Sequence, residues 1–319
     1  MTALSKTVLV TGAKGFLGRY VARHYAAAGW RVVGVGHEPR ASSGVGPAFG
    51  HGQADPRQLE WHCCDISLDA LEGLRPRPDL VVHCAGSGSV AASMQDPFGD
   101  HARTVGSLAG VLEYVRRHCP EAVVIYPSSA AVYGNGARDP ASEQAVEQQA
   151  AASPYGAHKR MAEQLCYSYA EHFGMRVAVV RFFSIYGEGL RKQLLWDACW
   201  KIRRGDDVYY GTGEESRDWL HAEDAARLVA AVAQRAGAGC PIYNGASGKP
   251  ATVRQALSLL YGALAPGRSP RFSQQPRRGD PADLRADIGR SLSLGWSPAV
   301  PMAAGIARYA RWFAGAVHD

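Results

Sequence analysis

Short runs of apolar, β-branched residues alternate along the first half of the chain with stretches in which apolar residues recur every three or four positions. These runs predict strands at Thr7–Val10, Arg31–Val35, Leu80–His83, Glu121–Tyr126 and Arg176–Phe183. A further strand is expected just before Asp65. The stretches between the strands have the period of amphipathic helices, and this alternation is typical of βαβ units. The pattern therefore predicts an α/β protein built on a parallel sheet.

Beyond residue 180 the pattern becomes irregular and is interrupted by glycine and proline. Isolated elements remain, such as the strand-like Pro241–Asn244 and the helix-like Thr252–Leu264. We expect residues 1–180 to form a dinucleotide-binding domain. Residues 181–319 are expected to form mainly a smaller, mixed α/β substrate-binding lobe, with some segments returning to the first domain.

Composition excludes several classes of protein. No stretch has the order of a signal peptide, and no apolar run approaches the ~20 residues that cross a bilayer, so we expect a cytoplasmic protein without membrane association. Seven cysteines lack CxxC spacing, which predicts reduced thiols and no metal site. The net charge of +6 comes from scattered arginines without a basic stripe, which argues against nucleic-acid binding and fits an anionic small ligand.

A glycine-rich turn, TGAKGFLG at Thr11–Gly18, follows the first predicted strand and opens a helix. Glycine permits the tight turn, the close approach of a pyrophosphate and close packing of helix on strand, while the helix N-terminus offers free N–H groups. This context predicts a doubly wound, Rossmann-type sheet that binds a dinucleotide. The residues predicted to contact it here are Gly12, Gly15, Phe16, Leu17 and Gly18.

The end of the second strand bears on the choice between NAD and NADP. An acidic residue there would bind the ribose 2′-hydroxyl, but the chain has Gly36 and His37, with Arg40 nearby. A 2′-phosphate can be accommodated, so the sequence favours NADP, although Glu38 lies close enough to act as the missing acid. Asp65 and Ile66 follow the next strand, where the carboxylate either accepts from the adenine amino group or caps a helix.

The segment SPYGAHK at Ser153–Lys159 predicts the start of a helix, with Ser153 as N-cap. Tyr155 and Lys159 are four residues apart and share one helical face. An ammonium and a nicotinamide charge near a phenol favour the phenolate, which can exchange a proton with a sugar hydroxyl. Ser129 follows a buried strand, at the edge where open α/β sheets bind ligands, and can hydrogen-bond the reacting oxygen.

These motifs together resemble the extended short-chain dehydrogenases. TGAKGFLG, HCAG, SSAAVYG, SPYGAHK, RFFSIYGEG and RDWLHAEDAA occur in the family's order, and the match extends to about Trp296. More narrowly, the chain resembles the sugar-nucleotide epimerase/dehydratase family that includes UDP-galactose 4-epimerase. The resemblance implies a nucleotide-diphosphate sugar as substrate, a triad of Ser129, Tyr155 and Lys159, and cofactor contacts at Gly12, Gly15, Gly18, Asp65, Cys84, Ala85 and Gly86. It also implies substrate contacts at Ser129, Ser184, Arg217 and Arg277, the two arginines gripping the diphosphate.

Several positions depart from the family pattern. Ala130 and Ala131 stand where dehydratases carry an Asp-Glu pair, which argues against elimination of water. Lys192 and Gln193 offer no counterpart to the Cys and His of epimerase-reductases. Arg103 is taken to replace an Asn in the helix after the strand that ends at His83, and Ser184 stands in place of the Asn of an RFN motif. Both of the latter changes are expected to touch the active-site floor and the sugar region.

Oxidation or reduction at one sugar carbon, C4 by resemblance, therefore remains. The family resemblance favours a 4-epimerase that passes through a 4-keto intermediate and retains its cofactor. The missing acid on the second strand favours an NADPH-dependent 4-keto-sugar reductase. A non-catalytic NAD(P)-binding regulator or scaffold is disfavoured, because all three triad residues are present.

Two predicted helices, Phe98–His118 and Pro154–Phe173, have apolar faces. As in similar enzymes, they are expected to pair across a two-fold axis as a four-helix bundle. The sequence therefore predicts a homodimer.

Overall fold

The computed structural model describes residues 6–37, 59–136, 140–144, 151–275 and 283–316. In these ranges the strands are β1 (Thr7–Thr11), β2 (Arg31–Gly36), β3 (Leu59–Cys63), β4 (Leu80–His83), β5 (Val123–Ser129), β6 (Arg176–Phe182), β7 (Ser184–Tyr186), β8 (Val208–Tyr209), β9 (Ser216–Arg217), β10 (Trp219–His221), β11 (Ile242–Gly245), β12 (Ala251–Thr252), β13 (Arg271–Phe272) and β14 (Asp283–Leu284). The helices are α1 (Phe16–Ala27), α2 (Leu68–Leu74), α3 (Val90–Gln95), α4 (Pro97–His101), α5 (Ser107–His118), α6 (Pro154–Phe173), α7 (Gln193–Arg203), α8 (Ala222–Arg235), α9 (Val253–Leu264), α10 (Gly289–Leu292) and α11 (Met302–Ala316). A π-helical turn, Ala102–Gly106, joins α4 to α5, and a 3₁₀ segment, Ala130–Gly136, follows β5.

The main sheet of the described chain has seven parallel strands in the order β3-β2-β1-β4-β5-β6-β11. The strand order reverses between β1 and β4, which is the switch point of a doubly wound sheet. The prediction of a Rossmann-type α/β fold is therefore confirmed. The predicted end of β5 is wrong, because pairing with β6 continues through Ser129 opposite Phe182. This extra length carries Ser129 to the carboxyl edge of the sheet.

Helices cover both faces of this sheet. A core cluster that includes α1 and α8 buries one face, and a second cluster that includes α2, α5 and α6 buries the other. Strands with both faces covered read as continuous apolar runs, which is why they were visible in the sequence. The strand predicted near Pro241–Asn244 is β11, and it is not isolated but pairs with β6 at the edge of the main sheet.

A smaller lobe is built around α7, α9 and α11, whose apolar sides form a third core cluster. The helix predicted at Thr252–Leu264 is α9, and Thr252 and Gln255 form a capping box at its start. In the described ranges, no helix combines the length and the apolar character that a membrane span requires.

A half-buried carboxylate ties this lobe to the main sheet. Glu188, in the loop after β7, accepts from Tyr20 of α1 at 3.2 Å, His221 at 3.1 Å and Arg308 of α11 at 2.7 Å. Burial works against ionisation of Glu188, but the hydrogen bonds outweigh it and hold its pKa at about 2. The loop that enters the smaller lobe is thereby held against the dinucleotide-binding helix.

Candidate active site

The turn after β1 requires glycine at two positions. Gly12 has φ +64°, and a Cβ there would lie 2.8 Å from the backbone nitrogen of Ala85. A Cβ at Gly18 would overlap the carbonyl oxygen of Gly12. No side chain caps the N-terminus of α1, so the first N–H groups of the helix lack an intrahelical or capping partner. The predicted glycine residues thus form a cradle that fits a pyrophosphate.

His83 joins this turn to the loop after β4. The Thr11 hydroxyl accepts from the backbone N–H of Ala85. Its own proton is therefore free to be donated to His83 Nδ1, 2.8 Å away. On the other side, Ser107 donates to the Arg103 carbonyl and accepts from His83 Nε2 at 3.1 Å. His83 is therefore neutral with its proton on Nε2. Burial and the charge of Lys159 lower its pKa to about 3.

We expect this histidine to make the protein lose stability as the pH falls below 6.5. His83 is then protonated in the unfolded chain but stays neutral in the native chain. The free energy of unfolding of the wild type should therefore fall by about 2 kcal/mol between pH 7 and pH 5 because of this group. His83→Leu should be less stable at pH 7, because Thr11 and Ser107 lose their partner, but it should lack this part of the pH dependence. Urea unfolding of both proteins at both pH values measures the difference, and equal losses would contradict the expectation.

The residues predicted to bind the adenosine lie at the ends of β2 and β3. His37 Nε2 and Asp65 Oδ1 are 2.7 Å apart and both side chains are exposed, so the two predicted cofactor residues face each other. Lys14 places its ammonium 4.2 Å from the ring centre of Trp61 on β3. Arg40 and Glu38, which the sequence also brought into the choice of cofactor, lie outside the described residues.

The catalytic helix begins where the sequence predicts. Ser153 accepts from the backbone N–H of Gly156 at 3.2 Å, as an N-cap does, and α6 spans the predicted Pro154–Phe173. The backbone N–H of Tyr155 has no intrahelical acceptor and donates instead to Ser93 of α3 at 3.1 Å. The first turn of α6 is thereby fixed against α3.

Ser129, Tyr155 and Lys159 are brought together at the carboxyl edge of the sheet. Burial raises the pKa of Tyr155, and a hydrogen bond from Ser129 acts in the opposite direction. Lys159 Nζ lies 5.9 Å from the Tyr155 ring centre and donates to the Pro127 carbonyl at 3.0 Å. The sequence predicted that cations would favour the phenolate, but in the protein alone burial is the larger influence on Tyr155.

Lys159 is almost completely buried, and burial lowers its pKa to about 8 despite the nearby charge of Glu163. Glu163 is one helical turn further along the same face of α6. It accepts from Ser128, and Arg181 of β6 donates to both of its carboxylate oxygens. Glu163 and Arg181 are 6% and 3% exposed, so a buried ion pair that sequence reasoning missed lies beside Lys159.

The structure corrects the expectation for Arg103. Its side chain is exposed and pairs with Asp96 at 3.3 Å, so it does not reach the active-site floor. The neighbouring Thr104 is the buried residue, because the π-helical turn directs its side chain inward, with Oγ1 3.9 Å from the Cβ position of Gly86. Gly86 has φ +127° and belongs to the predicted cofactor loop.

Elsewhere in the described chain, no group of three or more His, Cys, Asp or Glu side chains is arranged to hold a metal ion. The seven cysteines are free thiols.

Comparison with known proteins agrees with this geometry. The model of the NAD dependent epimerase/dehydratase family matches residues 8–245. The chain belongs to this family. The resemblance drawn from the sequence motifs is confirmed.

Two relatives of this epimerase/dehydratase match nearly the whole of this chain. It is 28% identical to the UDP-glucose 4-epimerase of Mycolicibacterium smegmatis, over 96% of this chain and 97% of the relative. It is 25% identical to UDP-glucuronate 4-epimerase 6 of Arabidopsis thaliana, over 97% of this chain and 72% of the relative. Its fold matches the UDP-N-acetylglucosamine 4-epimerase of Methanobrevibacter ruminantium, with a TM-score of 0.86 at 24% identity over 98% and 99% of the two chains.

The predicted substrate residues of this epimerase/dehydratase lie partly in the smaller lobe. Ser184 pairs with Trp219, and its N–H donates to the Asp218 carbonyl at 3.0 Å. Arg217 is therefore next to the same strand junction and is half-buried. Arg277 lies outside the described residues.

Proposed function

We propose that this chain is an NAD(P)-dependent nucleotide-sugar 4-epimerase. The observation that carries the proposal is the grouping of Ser129, Tyr155 and Lys159 at the carboxyl edge of the sheet, beside a glycine cradle that fits a dinucleotide. The family membership and the 4-epimerase activities in the names of its relatives support the same reaction.

Each chemical role falls on a residue with suitable surroundings. Tyr155 removes the proton of the C4 hydroxyl and later returns it, while Ser129 holds the reacting oxygen. The glycine cradle after β1 would hold the dinucleotide, which would supply a reversible acceptor for the hydride at C4. Lys159 remains charged up to about pH 8 and favours the phenolate of Tyr155.

Elimination of water is disfavoured by the residues after Ser129. Ala130 is buried and Ala131 is half-buried, and neither side chain can donate or accept a proton. The acid and base that dehydratases place there are therefore missing from this segment.

The function is tested by incubating the protein with UDP-glucose, UDP-glucuronate and UDP-N-acetylglucosamine without added cofactor. Proton NMR should detect the C4 epimer of at least one of them at equilibrium. No epimer from any sugar, together with NADPH consumption on a 4-keto sugar, would reject the epimerase in favour of the reductase.

We further propose that the cofactor site accepts the 2′-phosphate of NADP. No carboxylate ends β2, and His37 and Lys14 provide cationic or donor groups near it. Denaturing the purified protein should release NADP(H), identified by chromatography and mass detection. Lys14→Ala should then weaken NADP binding more than NAD binding. Near-stoichiometric NAD⁺ in the protein would contradict this preference.

We also propose that two copies of the chain form a dimer through α3, α4 and α6. These helices expose a set of large apolar side chains, among them Phe98 at 83% exposure. Exposed apolar side chains of this kind are typical of a protein–protein interface. The set is Val90, Met94, Phe98, Met161, Tyr167 and Phe173. Sedimentation velocity should give a dimer for the wild type and a shift toward monomer for Phe98→Asp. A monomer-sized wild type at micromolar concentration would contradict the dimer.

A further inference from the structure

A second group of polar side chains is buried beside the catalytic helix, where α4 packs on α6. Asp100 of α4 is 0% exposed, and its Oδ2 lies 2.5 Å from Nδ1 of His158. His158 immediately precedes Lys159 in the chain. The rings of His101 and His158 are nearly perpendicular, with their centres 5.4 Å apart. A carboxylate is thus held by one donor inside the protein, one residue from the catalytic lysine.

The other oxygen of this carboxylate has no hydrogen-bond partner. Asp100 Oδ1, Thr104 Oγ1 and the Tyr126 hydroxyl are all buried without a partner in the described chain. A buried polar atom left in this way costs about 1–3 kcal/mol, so its retention calls for a compensating role. Lys159 lies against the same region, with Nζ 4.7 Å from the Tyr126 ring centre.

The charges around Lys159 show what that role is. Glu163 is the anion with the larger influence on Lys159, but Arg181 already donates to both of its carboxylate oxygens, and that pair is close to neutral. Asp100 has no lysine or arginine bonded to it, since the only side chain bonded to its carboxylate in the described residues is His158. Its charge therefore remains available to balance the buried ammonium.

We propose that Asp100, oriented by His158, is the buried counter-charge of Lys159 and a positioning residue for the Tyr155–Lys159 pair. The inference rests on the proposed function, because it assigns a residue to the same site. Asp100 acts through Lys159 and Tyr155 and does not touch the sugar.

The two catalytic groups respond to Asp100 in the same direction. Burial lowers the pKa of Lys159, and the charges of Glu163 and Asp100 oppose it. Burial raises the pKa of Tyr155, and Asp100 adds to it. The groups that face the pair are Asp100 from α4, Glu163 and Cys166 from α6, His83 and Cys84 from β4 and its loop, and Tyr126 and Ser129 from β5. Removing the Asp100 charge therefore lowers both pKa values together.

The test is the pH profile of kcat in Asp100→Asn holoenzyme. Loss of the charge should move both the acid and the alkaline limb to lower pH by about one unit. Asp96→Asn is the matched control, because Asp96 is exposed and asparagine can still cap α4. Its profile should stay in place. A lower kcat with an unmoved profile in Asp100→Asn would overturn the proposal and leave a purely structural role.

Two further variants guard against a folding defect in Asp100→Asn. His158→Phe removes the only side-chain donor bonded to the Asp100 carboxylate in the described residues and should shift the pH profile in the same direction. His158→Gln retains a donor and should have the wild-type profile. Titration of tyrosinate absorbance, with Tyr155→Phe as the blank, requires no sugar turnover. An unchanged Tyr155 titration in Asp100→Asn would also reject the role of Asp100. If the Tyr155 titration shifts but the wild type shows no epimerase activity, only the proposed function is rejected.

Discussion

Tyr155→Phe should lower kcat by roughly 10²–10⁴-fold, which is the usual contribution of a positioned acid/base. The substitution removes one hydroxyl, the group that is hydrogen-bonded to Ser129 and that carries the proton between the C4 oxygen and the enzyme. The aromatic ring stays, so the packing of the first turn of α6 should be retained. Epimer formation followed by NMR at saturating sugar measures the loss.

Tyr167→Phe provides the matched control for this variant. Tyr167 lies on the same helix, but half of its side chain is exposed and it is remote from the sheet edge that holds Ser129. It should retain wild-type kcat. Binding of the dinucleotide to Tyr155→Phe, measured by calorimetry, should remain within a few fold of wild type. Undiminished biological activity of Tyr155→Phe would revive the non-catalytic alternative.

Glu163→Ala should destabilise the protein by about 3–5 kcal/mol. The reason is the charge left behind, because Arg181 is 3% exposed and would lose the carboxylate that accepts its Nε and Nη2 groups. Ser128 would lose its acceptor as well. Urea unfolding at pH 7 measures the loss of free energy of unfolding.

An exposed ion pair and a double variant show whether burial is the cause. Glu60 pairs with Arg31 on the surface of β2 and β3, so Glu60→Ala should cost less than about 1 kcal/mol. In Glu163→Ala/Arg181→Met both charges are gone, and the protein should be more stable than Glu163→Ala alone. If Glu163→Ala and Glu60→Ala lowered the free energy of unfolding equally, burial of the Glu163–Arg181 pair would not be the cause of the loss.

The tests of Asp100 and Glu163 separate two ways of supporting one lysine. Glu163 neutralises Arg181 and holds the fold, so its loss should appear mainly in stability. Asp100 is bonded to no lysine or arginine among the described residues and acts on Lys159 through its charge, so its loss should appear mainly in the pH profile. The two variants together therefore distinguish a structural carboxylate from one that adjusts the catalytic pair.

The sequence by itself determined the parallel sheet, the glycine cradle and the catalytic helix, because each depends on local rules. Buried strands are continuous apolar runs. Gly12 and Gly18 are required because a Cβ would clash within the same turn or its neighbour. A spacing of four residues places Tyr155 and Lys159 on one face of α6. The N-cap at Ser153 was visible for the same reason.

Only the tertiary structure decided which side chains meet from distant parts of the chain. The partners Arg181 and Glu163 are 18 residues apart, and Asp100 and His158 are 58 apart, so neither pair leaves a periodic signal. The direction of Thr104 depends on a π-helical turn, which is why Arg103 was wrongly assigned to the site floor. The sequence placed Lys159 beside Tyr155, but only the structure shows that the lysine is buried and needs buried anions to balance its charge. Which anions these are follows from packing alone.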